Sequence, residues 1–250
     1  MTPSWRATAP LYAAGFTTAF GAHSIAAGLG AETANIGVSL LTFGLLLAVY
    51  DIAEVILKPI FGSLSDLIGV KPVIVIGLAV FAAASLLGVV ETNPILIGIA
   101  RLGQGAAAAA FSPASSSAVA RLAGPCAAGR YFGRYGSWKG LGYALGPLLG
   151  AALISVGGFP ALFATLATVA TATSVWALIA VPRLPVLPRP RYTVVDLIRQ
   201  TTDRSFLIPT FALAAATGAL GVAVGFIPLL GTALHLSLFA SMAAVTILAV

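Results

Sequence analysis

Runs of 18 or more predominantly apolar residues recur along the whole chain, and little else about it leaves so few folding options. A helix rises about 1.5 Å per residue, so roughly 20 residues cross a hydrocarbon core about 30 Å thick. Breaks at polar, Gly or Pro residues place such helices at about 9–30, 37–60, 73–91, 95–118, 131–154, 160–181 and 206–230, with an eighth starting near Leu236. Only 8% of the residues are charged and 59% are hydrophobic, with a mean hydropathy of +1.04. A soluble domain carries about 25% charged residues, so this chain lacks the polar surface to face water. The period-two alternation of a membrane β-barrel is missing. The composition therefore specifies an all-α, polytopic membrane protein embedded in the lipid bilayer.

The net charge of +6 would suit a nucleic-acid partner, but the placement of the charges argues against one. Assigning loops alternately to two sides puts Arg6, Lys58, Lys71, Arg121, Arg130, Arg134, Arg183, Arg189, Arg191, Arg199 and Arg204 together. The opposite loops hold Glu32, Glu91 and His235, and no Lys or Arg. Cytoplasmic loops collect Lys and Arg, so the N-terminus is expected in the cytoplasm and the protein in the cell membrane, crossing it many times. A miscounted span would spoil that split. The first apolar run, reaching about Leu29, exceeds the ~7–15 residues of a secretory h-region and reads as an uncleaved span. The single cysteine, Cys126, says nothing about redox compartment.

The longest break is VPRLPVLPRPRYTVVDLIRQTTDRS, Val181–Ser205. Its Pro- and Arg-rich first half favours extended chain. Its second half sets Val194, Val195, Leu197 and Ile198 against Asp196, Arg199, Asp203 and Arg204, the pattern of a short helix lying on the membrane surface. The expected organisation is a six-helix bundle over 1–181, a cytoplasmic linker over 182–205 and the start of a second bundle over 206–250. Only 15 residues run from Leu236 to Val250, short of the ~20 a span needs, so the sequence reads as part of a longer one.

GSLSDLIGVKP (Gly62–Pro72) interrupts the greasy chain between the second and third spans. As a plain turn it would use Gly62 for close helix approach, Gly69 for positive φ and Lys71 as an anchor at the membrane edge. The order of residues also resembles the loop 2–3 signature of the major facilitator superfamily, carried here by Gly62, Leu64, Ser65, Asp66, Gly69 and Lys71. Leu67 and Val70 stand where that signature has basic residues. Span four contains RLGQG, similar to the family's Arg-x-x-Gln-Gly signature through Arg101, Gln104 and Gly105. Span five contains GYALGPLLGA, similar to the Gly-x-x-x-Gly-Pro-x-x-Gly-Gly signature of the family's drug/proton antiporters. Gly142, Gly146, Pro147 and Gly150 match, and Ala151 stands in place of the last Gly. Physically, those glycines make one smooth face that another backbone can touch, and Pro147 removes a helix hydrogen bond. The acidic first-span motif of the larger drug antiporters is not evident, because span one has His23 and no carboxylate.

The resemblance covers about residues 9–250 and implies two six-helix bundles rocking about a central cavity. It implies proton-coupled efflux of small, lipophilic or drug-like molecules, with protons as co-substrate and a C-terminal half in the full-length protein. It further implies that Asp66 helps latch the two halves. Uptake of a metabolite by the same fold, or a fragment that transports nothing, are the rival readings. Nothing points to an enzyme, a cofactor or a metal: there is no Cys/His ligand spacing, phosphate loop or activated Ser. The run Ser115, Ser116, Ser117 suits hydrogen bonds to its own helix.

Ionisable residues inside spans are functional candidates by default. Asp51 and Glu54, at i and i+3, share a face of span two, with Lys58 one turn nearer the cytoplasm. Lys139 lies in span five. Arg101 lies about six residues, or roughly 9 Å, below the outer edge, at nearly the depth of Asp51. The spacing therefore predicts an Asp51–Arg101 pair, with Lys139 a poorer partner for Asp51 and a candidate one for Glu54. Such charges form either a static bridge or a proton switch, because burial favours a neutral acid and a neighbouring cation favours an ionised one. His23 reads as a packing residue, and the aromatic residues as core and interface belt.

The topology has a direct check. In a background lacking Cys126, cysteines at Thr33 and Asn93 should label from outside the cell and one at Pro190 should not. Outside labelling at Pro190 would overturn the assignment.

Overall fold

The computed structural model of the chain describes residues 5–36, 39–90, 93–124, 126–186, 199 and 202–249. Among these, every regular element is an α-helix: α1 (Trp5–Ile36), α2 (Leu40–Ile68), α3 (Val70–Val90), α4 (Pro94–Ala123), α5 (Ala128–Ala180), α6 (Arg204–Ala233) and α7 (Leu238–Ala249). The backbone of α5 leaves helical geometry at Gly157 (φ −148°, ψ 21°) and Gly158 (φ 66°, ψ −166°). Its 53 residues are thus two membrane passes joined at the VGGFP break, as the apolar pattern predicts. Five helices, α2 to α6, are long and apolar enough to cross a membrane. The less apolar α1 is walled in by protein, and its polar Thr8, Thr17, Thr18 and Ser24 are buried. Thr17 and Thr18 donate to the carbonyls of Ala13 and Ala14 at 2.8 and 3.0 Å, which satisfies them without water.

Helix ends follow local chemistry. Ser39 and Asn93 accept hydrogen bonds from Thr42 N at 3.1 Å and Ile95 N at 2.8 Å, capping α2 and α4. Pro94 takes the first position of α4, where a missing N–H does no harm. Asp203 accepts from Ser205 N at 2.8 Å and caps α6. Asp203 and Arg204 therefore belong to the start of that helix rather than to a surface helix before it. Residues 194–198 of the expected surface helix lie outside the described residues.

The Gly62–Pro72 segment is far less of a break than its composition suggests. Residues 62–68 continue α2, the turn is confined to Gly69 (φ 91°, ψ 156°), and α3 begins at Val70. Twenty-nine residues make α2 about 43 Å long, so its polar end projects beyond a ~30 Å core without unwinding. A Cβ at Gly62 would meet nothing within 4 Å, so this glycine makes no close helix contact, contrary to the turn reading.

Packing runs α2–α4–α3–α5–α1, with α6 against α1 and α7 against α5. Glycine sets the closest approaches. A Cβ at Gly105 would collide with the Tyr50 carbonyl oxygen, so α4 touches α2 backbone to side-chain-free backbone. On α5, Gly142 would meet Phe16 O at 2.7 Å, Gly146 His23 Cβ at 3.2 Å and Gly150 Ser24 Cβ at 3.0 Å. That is the smooth face expected from their spacing, and its partner is α1. Ala151 is buried in a small apolar cluster with Ala27, Val224, Met242 and Val245, which gives its methyl a place. The backbone stays helical through Pro147.

At one end of the bundle, Arg121 of α4 donates to the Pro185 carbonyl, and Lys71 and Arg183 line one cavity. The loops after spans two, four and six thus share one end, as the charge split requires.

Adding a methyl at Gly105 forces backbone apart, which should lower stability by about 1–3 kcal/mol as overpacking does. Gly136→Ala, where a Cβ meets nothing within 4 Å, should be neutral or slightly stabilising through helix propensity. Thermal unfolding of both variants in detergent checks this; equal behaviour would refute the close α2–α4 contact.

Candidate functional site

The interior of the bundle gathers an unusual density of polar and ionisable groups around Arg101. Arg101 is 2% exposed, and its guanidinium carbon sits 4.2 Å from the centroid of the Tyr50 ring. Nε and Nη1 are buried with no hydrogen-bond acceptor. An arginine in a membrane span costs about 3 kcal/mol on insertion scales, and a desolvated cation–π contact returns roughly 2 kcal/mol. The Tyr50 face is therefore the main seat of the charge. Burial alone excludes snorkelling to the membrane edge.

The ion pair between Asp51 and Arg101 expected from their matched depth is not formed. Depth was right and azimuth was not. Gly105 brings α4 onto the backbone of α2 at Tyr50, so Tyr50 faces Arg101. Asp51 is the next residue, rotated by about 100°, and stands exposed. Glu54, at i+4 from Tyr50, lies on nearly the same face, and its side chain is only 15% exposed. Both carboxylates act on the guanidinium through space. Glu54 accepts from Lys58 Nζ at 2.8 Å, an i,i+4 ion pair, rather than from Lys139. Lys58 is more than an anchor, and Lys139 instead sits 5.9 Å from the Tyr143 ring.

Two residues set aside as packing belong to this cluster. The His23 ring lies 4.4 Å from that of Tyr143, tilted 47°, and both its nitrogens are buried without a partner. Arg101 and Lys139 both act on His23 electrostatically, and Glu54 acts on Tyr143. The glycine face on α5 explains the meeting: Gly146 is what lets His23 approach. A sequence signal existed, since Tyr143 is flanked by Gly142 and Gly146 and so sits beside whatever that face touches. The aromatic seat Tyr50 was legible only as an aromatic next to Asp51.

The rest of the span-four signature has a local structural role. Gln104 is fully buried and donates through Nε2 to Ser85 Oγ at 2.8 Å, and Ser85 donates to Phe81 O at 2.8 Å. This polar link ties α4 to α3. Ser116 donates to Pro113 O at 2.9 Å, as expected for the serine run, while the buried Ser115 Oγ has no partner. Of the loop 2–3 residues, Asp66 is exposed on the last turn of α2, and Lys71 lies in the first turn of α3. Neither approaches the Arg101 cluster, which lies within the membrane-spanning part of the bundle.

The arrangement offers a buried cation held on a ring with two carboxylates within its field, Glu54 largely buried and Asp51 exposed. It contains no nucleophile paired with a base.

The family model described as Major Facilitator Superfamily matches residues 11–250. The chain is 27% identical over 212 residues to a protein named probable actinorhodin transporter from Streptomyces coelicolor, covering 79% of this chain and 37% of that one. It is 33% identical over 140 residues to the multidrug resistance protein MdtG of Erwinia billingiae, covering 56% and 34%. The chain thus spans about a third of the length of the curated relatives it matches. Among solved structures, a D-xylose-proton symporter superposes with a TM-score of 0.67 at 17% identity, covering 98% of this chain and 66% of that one, which speaks for the fold. With a six-pass bundle, three family signatures on the expected helices and a family match along nearly its whole length, the chain belongs to the major facilitator superfamily.

Proposed function

We infer that this chain supplies the coupling half of a proton-driven exporter of small, lipophilic or drug-like molecules working by alternating access. A second bundle completes the cavity, and the N-terminus and basic loops face the cytoplasm of the cell. The observation that carries the reading is Arg101, buried in the bundle on an aromatic ring instead of a carboxylate. Because Tyr50 holds the cation, Asp51 stays free of an ion pair and can gain or lose a proton without breaking a salt bridge. Each protonation changes the field on Arg101, and through it the balance between the packings of α2 and α4. The names of the relatives, a probable actinorhodin transporter and a multidrug resistance protein, favour export. The exposed carboxylate Asp66, at the end of α2, is assigned the latch between halves.

Proteoliposomes of the complete transporter under an imposed pH gradient test the reading. Asp51→Asn should reduce proton-driven transport at least about 10-fold while substrate affinity stays within about 3-fold, since shape is kept and charge is lost. Normal proton-driven transport by this variant would refute the coupling role, and movement with the proton gradient would replace export by uptake.

The seat of Arg101 has its own test. Tyr50→Phe preserves an aromatic face and should transport within about 3-fold of the parent. Tyr50→Leu forfeits roughly 2 kcal/mol of cation–π attraction and should fall by about 30-fold. Equal activity of the two would show that the ring does not hold the cation.

A further inference from the structure

We propose that the cavity between the α2–α3 turn and the chain leaving α5 is a binding site for an anionic phospholipid of the bilayer. It is separate from the Arg101 cluster and does not depend on the direction of transport. Its volume is about 510 Å³, within the ~300–1,000 Å³ usual for small-molecule sites. Lys71 and Arg183 both line it, from segments more than a hundred residues apart in sequence. Neither cation has an ion-pair partner among the described residues.

Residues 181–185, just after α5, are anchored by several contacts. Val181 is 1% exposed and its N–H closes α5 on Ala177 O at 3.1 Å. Arg121 of α4 grips the Pro185 carbonyl, and Leu184 packs on the core beside Gly69. Arg183 lies between Val181 and Pro185 and lines the cavity together with Lys71. Two cations without an ion-pair partner among the described residues thus border one cleft, where a single anion gains from both.

The rest of the cavity says which anion. Ile68, Ile76 and Leu178 line it and are 49%, 58% and 55% exposed. Ile76 lies five residues along α3 from Lys71, about 7.5 Å deeper into the membrane. The cleft is therefore cationic at the end of the bundle and apolar toward the middle of the bilayer. A free phosphate would satisfy the cations and leave the apolar wall bare. A phospholipid satisfies both, with its phosphate between Lys71 and Arg183 and an acyl chain along Ile76 and Leu178. Basic clefts between helices at the cytoplasmic surface, where anionic lipids concentrate, are suited to this.

Native mass spectrometry of the 250-residue protein, released from micelles holding equimolar phosphatidylglycerol and phosphatidylcholine, tests the site. The parent should retain phosphatidylglycerol preferentially. Lys71→Gln and Arg183→Gln should each weaken that preference about 5-fold, and the double variant about 25-fold, at roughly the strength of one basic residue near an anionic surface. Arg130→Gln/Arg134→Gln removes two other basic residues of the same surface and should leave the preference intact. Circular dichroism confirms that each variant keeps its helices. No preference in the parent, or equal loss in the Arg130/Arg134 control, would overturn the site. Displacement of the lipid by millimolar inorganic phosphate would overturn the lipid assignment, because it would show that the cations alone bind the anion.

Discussion

Helices in a bilayer gain little by burying apolar side chains against one another, since lipid is as apolar as leucine. What holds this bundle is the close approach of backbones at glycine, and the site geometry depends on it. Gly105 lets α4 reach the Tyr50 carbonyl of α2, and Gly142, Gly146 and Gly150 let α5 lie along α1. The same device recurs where Gly30 of α1 meets the carbonyl of Gly225 on α6. The outward faces carry no such demand. Leu41, Val55, Ile208 and Phe211 are each well over half exposed, a distribution that lipid tolerates and water would not.

Those contacts decide the electrostatics. With α2 pressed onto α4 at Gly105, the residue facing Arg101 is Tyr50, and the charge is met by a ring quadrupole. A carboxylate in that position would have attracted the cation more strongly and tied it into an ion pair. The aromatic seat offsets much of the insertion cost of Arg101 while leaving Asp51 unpaired. His23 and Tyr143 join the cluster for the same reason, because Gly146 allows α1 and α5 to bring their rings within 4.4 Å.

The polar end of the bundle is built on a different rule. Arg121, Lys71 and Arg183 come from the end of α4, the start of α3 and the chain just after α5, and cation beside cation is unfavourable without a counter-charge. Arg121 resolves its share by binding a backbone carbonyl, whereas Lys71 and Arg183 open onto one cleft with an apolar floor. That pairing of two cations with an apolar floor is what the proposed phospholipid site rests on.

The run lengths of apolar residues determined the number of passes, because a helix must satisfy its own backbone in lipid and each pass needs a fixed length. The VGGFP break, the smooth face on α5 and the one-sided loop charges were all legible, since each is local chemistry on a known period. Sequence also set the depth of Asp51 and Arg101. Which side each faces was decided only by tertiary packing. A rotation of about 100° between neighbours separates Tyr50 from Asp51, and no periodicity says which of them another helix will choose. The pairing of Glu54 with Lys58, the place of His23 beside Tyr143, and the meeting of Lys71 with Arg183 are likewise products of long-range contact. Such contacts join residues whose separation in sequence carries no record of their distance in space.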